Sequence, residues 1–331
     1  MAMIPEGENG ETGDMSSVPA AGWRTDPASW PLVTAVIPTK NRPELLRRAV
    51  QSVIDQDYPG PIECLVVYDG TDPVPPDVRP RAGRTVQVLV NNRTPGLAGN
   101  RNTGYLAATG ELVGSCDDDD EWLPGKLRSQ VELLRKHPEA SAAASGFVYS
   151  YRGKDIPREA ELAALTFADL LHDRHLEANA STYLIPRPEL LADIGLVDEQ
   201  LPGGYAEDYE LLLRAARRGP IVCVQQPQSR VYLHDSSFFA SRWQTINEAL
   251  TYLLQRVPEF RQDPAGLARI EGQIAFSHAA LGNRGPAARW AVRSLRKSRR
   301  ARQSYAALVV ASGLVSADRV LATARRFGRG I

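Results

Sequence analysis

Short apolar strands alternate with helical segments in the first 120 residues, and this order restricts the fold more than any other feature. Two β-branched runs, residues 32–38 and 63–68, flank a segment at 44–54 whose apolar residues recur at helical spacing. A strand, a helix and a second strand in this order form a right-handed parallel crossover. Residues 85–90 and 111–116 add two further strands. The sequence therefore predicts an α/β fold with a mostly parallel sheet flanked by helices.

The remainder of the chain is predicted to be mixed at first and then helical. From about Ser241 onward the pattern is helical and rich in Ala and Arg, with breaks at Pro258 and Pro264. Further elements are expected as helices at 102–109 and 124–136, a strand near 142–150, and a helix that starts at Glu207 and Asp208. The predicted units are a flexible arm at 1–30, an α/β domain at 31–240 and a basic helical extension at 241–331.

Charge is divided unevenly along the chain. The 331 residues contain 39 Lys and Arg and 39 Asp and Glu, yet residues 281–331 carry twelve basic residues and one acid, Asp318. That segment is net +11, which leaves −11 for the first 280 residues. Such a split indicates an internal acidic-to-basic contact, a basic surface for an anionic partner such as lipid headgroups, or simply a solvated helix face.

Cysteines and the N-terminal segment indicate the compartment. The three cysteines, Cys64, Cys116 and Cys223, form no CxxC pair and have no zinc-ligand spacing, so we expect reduced and mostly buried thiols. The first thirty residues are polar and lack a basic start and an apolar core, which favours a flexible arm over a signal peptide. With no run of eighteen apolar residues, the expected location is the cytoplasm.

The segment GSCDDDDEWLPGKL, residues 114–127, concentrates five acids directly after the fourth predicted strand. Carboxylates about 4 Å apart repel by ~1 kcal/mol in water and by more where solvent is excluded, so the run requires a cation. If the strand continues into the run, Asp117 and Asp119 face one way and Asp118 the other. Two carboxylates on one side suit magnesium or manganese, which takes its remaining ligands from water and phosphates.

The acidic run has two alternative interpretations. Three of its acids occupy positions one, three and five of a calcium-binding EF-hand loop, but Trp122 replaces the required glycine and Arg128 replaces the final glutamate. An acidic N-terminal cap for the helix at 124–136 accounts for one or two aspartates but not for four. The pattern therefore favours a divalent-metal site. Polar residues also follow two other strands, and in a parallel sheet these strand ends meet in one crevice.

Five segments together resemble the successive motifs of glycosyltransferase family 2 across about residues 33–235. They are IPTKNRPELLRRAVQSVIDQDYP, VVYDG, GNRNTGYLAATGE, DDDDEWLPGKL and AEDYELLLRAARRG. The resemblance implies a GT-A type Rossmann-like fold in the α/β domain, with a C-terminal helical extension. It also implies a nucleoside-diphosphate sugar donor, a divalent cation (manganese or magnesium) at a DxD motif, and an inverting single displacement.

The resemblance assigns ligand-binding roles to acids and a histidine. Asp117 and Asp119 match the DxD motif that binds the metal, and Asp118 is expected at the ribose. His234 falls where related enzymes supply a metal or diphosphate ligand, although a lone histidine is more often structural. Asp69 matches the aspartate that binds the base, and acceptance of the imide N–H of uracil or thymine favours a UDP- or dTDP-sugar. The alternative for Asp69 is a simple Asp-Gly turn.

Further donor contacts are implied in two loops. Pro38 and Thr39 match the loop that lies along the base, whereas Lys40 replaces a frequent aromatic residue and is expected near the phosphates. Arg101 and Asn102 match an Arg-Asn pair that meets the diphosphate, and the alternative for Arg101 is an ordinary helix-surface arginine.

The reaction also needs a group that removes the proton of the acceptor hydroxyl. Asp208 matches the family position for this base, a role that typically contributes 10²- to 10⁴-fold. Glu207 and Asp208 are otherwise first-turn acids that stabilise the following helix. Acceptor contacts are expected at 179–183 and 202–206 by the same resemblance.

The sequence also bears on rival functions and on partners. A sugar-nucleotide pyrophosphorylase normally has a Gly-rich loop after its first strand, which TKNRPEL lacks, and a non-catalytic relative is expected to lose Asp208 or the DxD motif. The acceptor class is not predicted beyond a glycan, a lipid-linked glycan or a small molecule, and no oligomeric state is indicated. Nucleic acid is not expected as a partner. The basic C-terminal helices, among them the apolar segment 304–326, suggest peripheral contact with the inner face of the membrane as an alternative to packing on the α/β domain.

Overall fold

A computed structural model describes residues 22–233 and 242–326 of the chain. The strands of this part are β1 Val33–Thr39, β2 Ile62–Tyr68, β3 Arg84–Val90, β4 Leu112–Ser115, β5 Glu121–Trp122, β6 Ala142–Tyr151, β7 Lys154–Arg158, β8 Ala164–Leu165, β9 Leu184–Pro186 and β10 Ile221–Leu233. The helices are α1 Gly22–Thr25, α2 Pro43–Ile54, α3 Leu97–Ala107, α4 Lys126–Lys136, α5 Phe167–His172, α6 Arg187–Glu189, α7 Glu207–Arg218, α8 Trp243–Arg256, α9 Pro264–Ala280, α10 Arg284–Lys297, α11 Arg302–Ala311 and α12 Ala317–Arg326.

Ten strands of the described chain form one mixed sheet, ordered β3-β2-β1-β4-β9-β6-β10-β5, with β7 on β6 and β8 on β10. The first four strands are parallel, and Thr39 pairs with Tyr68 at the ends of β1 and β2. β9 then runs antiparallel to β4, while β6 and β10 are parallel to each other. The predicted α/β architecture with a mostly parallel sheet is confirmed, and the parallel half places three strand ends on one edge.

Apolar residues of the sheet pack on both of its faces. Along β1, Val36 joins the cluster that contains α3, α7, α8 and α9, whereas Ala35 and Ile37 join the cluster that contains α2 and α4. This alternation follows from the period of two in a strand that is buried on both sides. Ile246 and Ile274 of the C-terminal helices belong to the first cluster, so these helices share a core with the sheet. The division of the chain at residue 240 remains a prediction.

The fourth strand does not extend into the acidic run, and the predicted alternation of its side chains is wrong. β4 ends at Ser115, and the run forms a turn in which the Asp120 amide donates to the carbonyl of Asp117 at 3.0 Å. The amide of Asp117 is bound by Ser181 Oγ at 3.1 Å instead of by a neighbouring strand. A turn lets successive carboxylates separate toward different partners, which a strand would not allow.

All three cysteines are buried free thiols, as expected. Burial raises the pKa of Cys64 and Cys223 to about 12, so neither thiol is ionised near neutral pH.

A buried lysine lies beneath the sheet at the start of α4. Lys126 is fully buried, its Nζ donates to Gln130 Oε1 at 2.7 Å, and the Trp122 ring centroid is 4.2 Å away. Gln130 in turn donates to the carbonyls of Ala143 and Thr182. Burial lowers the pKa of Lys126 to about 7, because the charged form loses its hydration.

Lys126 therefore predicts a stability that depends on pH. Between pH 7 and about 10.4 the unfolded chain binds more protons at this lysine than the folded chain, so the free energy of unfolding rises with pH by roughly 1 kcal/mol per unit. The K126M variant should lack this rise, since methionine fills a similar volume without a titrating group. Urea denaturation at pH 7.5, 8.2 and 9.0 measures the difference, and parallel curves for the two proteins would contradict it.

Candidate active site

The ends of β1 and β2 and the turn after β4 bring the predicted donor-binding residues together. The Asp69 amide donates to the carbonyl of Thr39 at 3.1 Å, and the Thr39 hydroxyl donates to Asp118 Oδ2 at 2.7 Å. Pro38 and Thr39 are the last two residues of β1, and Lys40 Nζ lies 3.3 Å from Asp69 Oδ2. The expected convergence of strand ends is thus present for these five residues.

The positive charges beside the acidic turn are the guanidinium groups of arginines. Arg42 Nη1 lies 3.2 Å from Asp118 Oδ1 and 2.9 Å from Asp119 Oδ2, so both carboxylates face the same guanidinium. Arg101 pairs with Asp117. Arg48 donates to the carbonyl of Asp119 at 2.9 Å. Charge-assisted bonds to guanidinium groups offset the repulsion that the sequence places here.

Two carboxylates of the turn are buried and held by neutral donors as well. Asp120 accepts hydrogen bonds from Ser181 Oγ at 2.6 Å and from the Tyr232 amide at 3.1 Å. Its pKa is raised well above the usual range, mainly by burial and further by the negative charges of Asp117 and Asp119. Burial, opposed by the Thr39 hydrogen bond, raises the pKa of Asp118 to about 6. By contrast, 35% of the Asp117 side chain and 22% of the Asp119 side chain remain exposed. These two carboxylates are the more accessible ones.

Asp69 lies in a frame of donors at the end of β2. Its Oδ1 accepts from Asn91 Nδ2 at 2.9 Å and from the Gly96 amide at 3.2 Å, while Oδ2 faces Lys40. Partial burial opposes ionisation, but the bonds from Asn91, Gly96 and Lys40 outweigh it and lower the pKa of Asp69. The carboxylate is therefore an ionised acceptor, whereas the Lys40 side chain is 61% exposed and free to reorient.

Arg101 links the acidic turn to the start of α7. Its guanidinium is 1% exposed, donates from Nε to Ser115 Oγ at 3.1 Å, and pairs with both Asp117 and Glu207. Burial opposes the charged form, but the nearby Asp117, with Tyr183, Tyr105 and Asp208, raises the pKa of Arg101. Arg101 is thus not a helix-surface arginine, and the structure gives it the role of joining two segments; its expected diphosphate contact stays a prediction.

Asn102 faces the segment that follows a short π-helix at Leu190–Ile194. Its amide donates to the carbonyl of Val197 at 2.8 Å and to Glu199 Oε1 at 2.7 Å, and its oxygen accepts from the Val197 amide at 2.9 Å. Because both ends of the side chain are engaged there, Asn102 holds that segment against α3. Its predicted contact with the diphosphate remains untested.

Asp208 lies in the first turn of α7, directly after an unusual backbone conformation. Ala206 adopts φ 65° and ψ 30°, a left-handed conformation that is uncommon for a residue with a side chain. Asp208 is 8% exposed, and its Oδ1 accepts from Arg174 Nη2 at 3.0 Å and from the Tyr209 amide at 2.7 Å. Among the described residues, both of these bonds fall on one oxygen, which leaves Oδ2 for another proton.

The acidic turn offers two accessible carboxylates to a divalent cation. Asp117 and Asp119 provide hard carboxylate oxygens at the accessible side of the turn, and such oxygens suit Mg²⁺ or Mn²⁺ when phosphates complete the coordination. Within residues 22–233 and 242–326, no group of three His, Cys, Asp or Glu residues could hold a metal by itself. His234, the third predicted ligand, lies outside the described residues. The carboxylates of Asp117 and Asp119 therefore fit part of a metal's coordination shell, and the donor phosphates would complete it.

The sequence-based interpretation missed several residues of this site. Arg42 was present in the quoted TKNRP loop, and a cation directly after the first strand could have been matched to the acidic run. Arg174 and Asn91 carried no local signal. Ser181, with Thr182 and Tyr183, was expected near the acceptor, but all three are fully buried. That part of the acceptor prediction is wrong, because these side chains bond inside the protein.

Comparison with known proteins shows which proteins the chain resembles. The sequence model for "Glycosyl transferase family 2" matches residues 34–183. Over 150 residues the chain is 30% identical to the GalNAc(5)-diNAcBac-PP-undecaprenol beta-1,3-glucosyltransferase of Campylobacter jejuni, covering 41% of this chain and 47% of that protein. Over 106 residues it is 27% identical to the Escherichia coli UDP-Glc:alpha-D-GlcNAc-diphosphoundecaprenol beta-1,3-glucosyltransferase WfgD, covering 32% and 42%. The chain thus spans less than half the length of these two relatives.

Solved structures resemble the chain over most of its length. Staphylococcus aureus TarS 1–349 in complex with UDP-GlcNAc superposes with a TM-score of 0.55 at 14% identity, covering 85% of this chain and 91% of that one. The mannosyltransferase PcManGT of Pyrobaculum calidifontis, in complex with GDP-Man and Mn²⁺, gives a TM-score of 0.52 at 19% identity and covers 91% and 81%. The sheet and its helices therefore have the GT-A fold of glycosyltransferases. Within that class, residues 34–183 of the chain match the model of glycosyltransferase family 2.

The buried pairing of Arg101 predicts a large loss of stability on its removal. In R101M, Glu207 is left as a buried carboxylate without its cation, which should lower the free energy of unfolding by about 3–5 kcal/mol. R101M/E207Q removes that uncompensated charge and should regain part of the loss. Urea denaturation of the three proteins measures this, and an R101M protein within about 1 kcal/mol of wild type would contradict the assignment.

Proposed function

We propose that this chain is a metal-dependent inverting glycosyltransferase that moves a sugar from a UDP- or dTDP-sugar to an acceptor hydroxyl. The observation that carries the proposal is the ion-pair chain from Asp117 through Arg101 to Glu207, the neighbour of Asp208. It joins the acidic turn, suited to a diphosphate and its cation, to the carboxylate suited to a base. A catalytic domain at 31–240 and a helical extension at 241–331 are part of the proposal.

Donor recognition is assigned to the ends of β1 and β2. Asp69 is an ionised acceptor held by Asn91 and Gly96, so it can bind the imide N–H of uracil or thymine. Lys40, largely exposed beside it, supplies a positive charge for the phosphates once it leaves Asp69. Pro38 and Thr39 form the backbone along which the base lies.

Diphosphate binding is assigned to the accessible side of the acidic turn. Asp117 and Asp119, with His234, would hold manganese or magnesium together with donor phosphate oxygens. A bound divalent cation supplies positive charge that stabilises a departing diphosphate. Asp118 is assigned to support rather than to a ribose contact, because Thr39 and Arg42 already occupy its carboxylate.

Proton removal from the acceptor is assigned to Asp208. Arg174 and the Tyr209 amide fix Oδ1, which orients Oδ2 to accept the hydroxyl proton. The oxygen that loses this proton attacks the anomeric carbon from the side opposite the diphosphate. The bond to the diphosphate breaks as the new glycosidic bond forms, and the anomeric configuration inverts.

The assignment of Asp208 predicts a separation of turnover from donor binding. D208N should lower turnover by about 10²- to 10⁴-fold while the dissociation constant for UDP stays within about twofold. D193N, which changes an exposed carboxylate paired with Arg218 at the opposite end of α7 from Asp208, is the matched control. Turnover is measured as release of UDP or dTDP from a panel of UDP- and dTDP-sugars. The assay contains manganese and a polyprenyl-diphosphate-linked sugar as acceptor. Full activity of D208N would contradict the assignment.

The acceptor is proposed to be lipid-linked, and the protein to contact the membrane peripherally from the cytoplasm. The names of two relatives state that they act on undecaprenol-diphosphate-linked sugars. In this chain, a groove on α10 is lined by Ala288, Arg289, Val292, Arg293, Arg296 and Lys297. Buried Glu271 pairs with Arg293 and Lys297, whereas Arg289 and Arg296 are exposed. In the described part of the chain, no helix is long and apolar enough to cross a membrane.

Membrane contact through α10 predicts a charge-dependent affinity for lipid. R289Q/R296Q should weaken binding to vesicles containing anionic lipid by about 10- to 30-fold, since each surface cation contributes ~1 kcal/mol. R47Q/R79Q removes two exposed arginines elsewhere and should bind like wild type. Vesicle co-sedimentation measures the affinities. Equal binding by both double variants, or no binding by wild type, would contradict the membrane contact and leave the donor chemistry unaffected.

A further inference from the structure

One carboxylate outside the proposed catalytic groups holds the loop that supports Asp69. This donor loop comprises residues 91–96, between β3 and α3. Glu199 Oε1 accepts from Arg93 Nε at 2.5 Å and from Asn102 Nδ2 at 2.7 Å, and Oε2 accepts from the Thr94 amide at 3.3 Å. The Glu199 carboxylate therefore binds the middle of the donor loop at two points, the Arg93 side chain and the Thr94 backbone amide. Glu199 lies about 105 residues away from this loop in sequence.

The donor loop passes this restraint directly to Asp69. The Arg93 amide donates to Asn91 Oδ1 at 3.0 Å, which fixes the Asn91 side chain so that Nδ2 reaches Asp69 Oδ1 at 2.9 Å. The Gly96 amide donates to the same Asp69 oxygen at 3.2 Å. Two of the three groups that hold the Asp69 carboxylate thus come from the two ends of the loop that Glu199 restrains.

Close packing leaves the loop little freedom to adopt another shape. A Cβ built on Gly99 would lie 2.0 Å from the carbonyl oxygen of Thr94, so the backbone of α3 lies directly against the loop. Gly96 has φ 113°, a conformation that side chains rarely adopt. A change in the anchoring of Arg93 or Thr94 must therefore be taken up at Asn91 and Gly96.

Glu199 is itself fixed and ionised. The adjacent Asp198 accepts from the Tyr252 hydroxyl at 2.8 Å and lies 3.6 Å from Arg256 Nε, so α8 holds this segment from the other side. Slight burial opposes ionisation of Glu199, but hydrogen bonds from Asn102, Thr94 and Arg93 lower its pKa to about 2. Because the Glu199 carboxylate is ionised, its hydrogen bonds from Arg93 and from the Thr94 amide are charge-assisted and therefore stronger.

We propose that Glu199 is a positioning residue for base recognition: by anchoring the donor loop, it holds Asp69 where the carboxylate accepts the N–H of the nucleotide base. The proposal rests on the proposed function, in which Asp69 contacts that base. Glu199 does not touch the donor. Its effect should therefore appear as lost discrimination between bases and not as a slower chemical step.

A comparison of the dissociation constants for UDP and CDP distinguishes this positioning role from a merely structural one. Uracil carries an N–H at position three that Asp69 can bind, and cytosine lacks it. In E199Q one oxygen is replaced by an amide NH₂ that faces donors, so the loop shifts. We expect the dissociation constant for UDP to rise about tenfold and that for CDP to change less than twofold. Turnover at saturating donor should stay within about twofold of wild type. E259Q, which alters an ion pair with Arg217 away from the loop, is the control and should bind both nucleotides like wild type.

Titration calorimetry of UDP and CDP with wild type, E199Q, E259Q and D69N gives distinguishable outcomes. A lower UDP preference in both E199Q and D69N supports the proposal. If D69N loses the preference and E199Q keeps it, or E199Q weakens both nucleotides equally, Glu199 has no positioning role and the proposed function stands. If D69N also keeps the preference, the assignment of Asp69 to the base is wrong, and the role of Glu199 falls with it.

Discussion

The pairing of Arg101 with Asp117 and Glu207 is the interaction on which the rest of the site depends. One buried guanidinium joins the turn after β4 to the first turn of α7, and its planar fork reaches Ser115 as well. These segments are about 90 residues apart in sequence and carry the two kinds of carboxylate that the proposed chemistry needs. A lysine could not make the same set of bonds, because it offers one point charge instead of a fork.

The acidic turn shows how the four aspartates at 117–120 can share a small volume. Asp120 is buried against a hydroxyl and an amide, and Asp118 is held by Thr39 and Arg42. These two carboxylates build the turn. Asp117 and Asp119 keep exposed surface although each also contacts an arginine. Two of the aspartates stabilise the turn and two remain accessible. This is why the run contains more carboxylates than a single cation needs.

Local sequence patterns predicted the elements of the fold, and long-range contacts were beyond their reach. Each of β1 to β4 lies within a few residues of its predicted position, because β-branched runs and helical spacing are local properties. The orientation of Asp117 to Asp119 was mispredicted, since the alternation assumed a strand where the Asp120 amide and the Asp117 carbonyl instead close a turn. Arg174 and Glu199 act on partners 34 and about 105 residues away, so no periodicity marks them. The role of Arg101 was left open between two options, because burial of a charged helix residue is decided by tertiary packing.

The proposed function requires that the edge formed by β1, β2 and the turn after β4 bind a nucleoside diphosphate together with a divalent cation. Titration of the full chain with UDP, in the presence and absence of Mn²⁺, tests it most directly. We expect UDP to bind at least about tenfold more tightly with Mn²⁺ and its binding to release Lys40 from Asp69. UDP affinity that is the same with and without the cation, or no affinity in either condition, would contradict it.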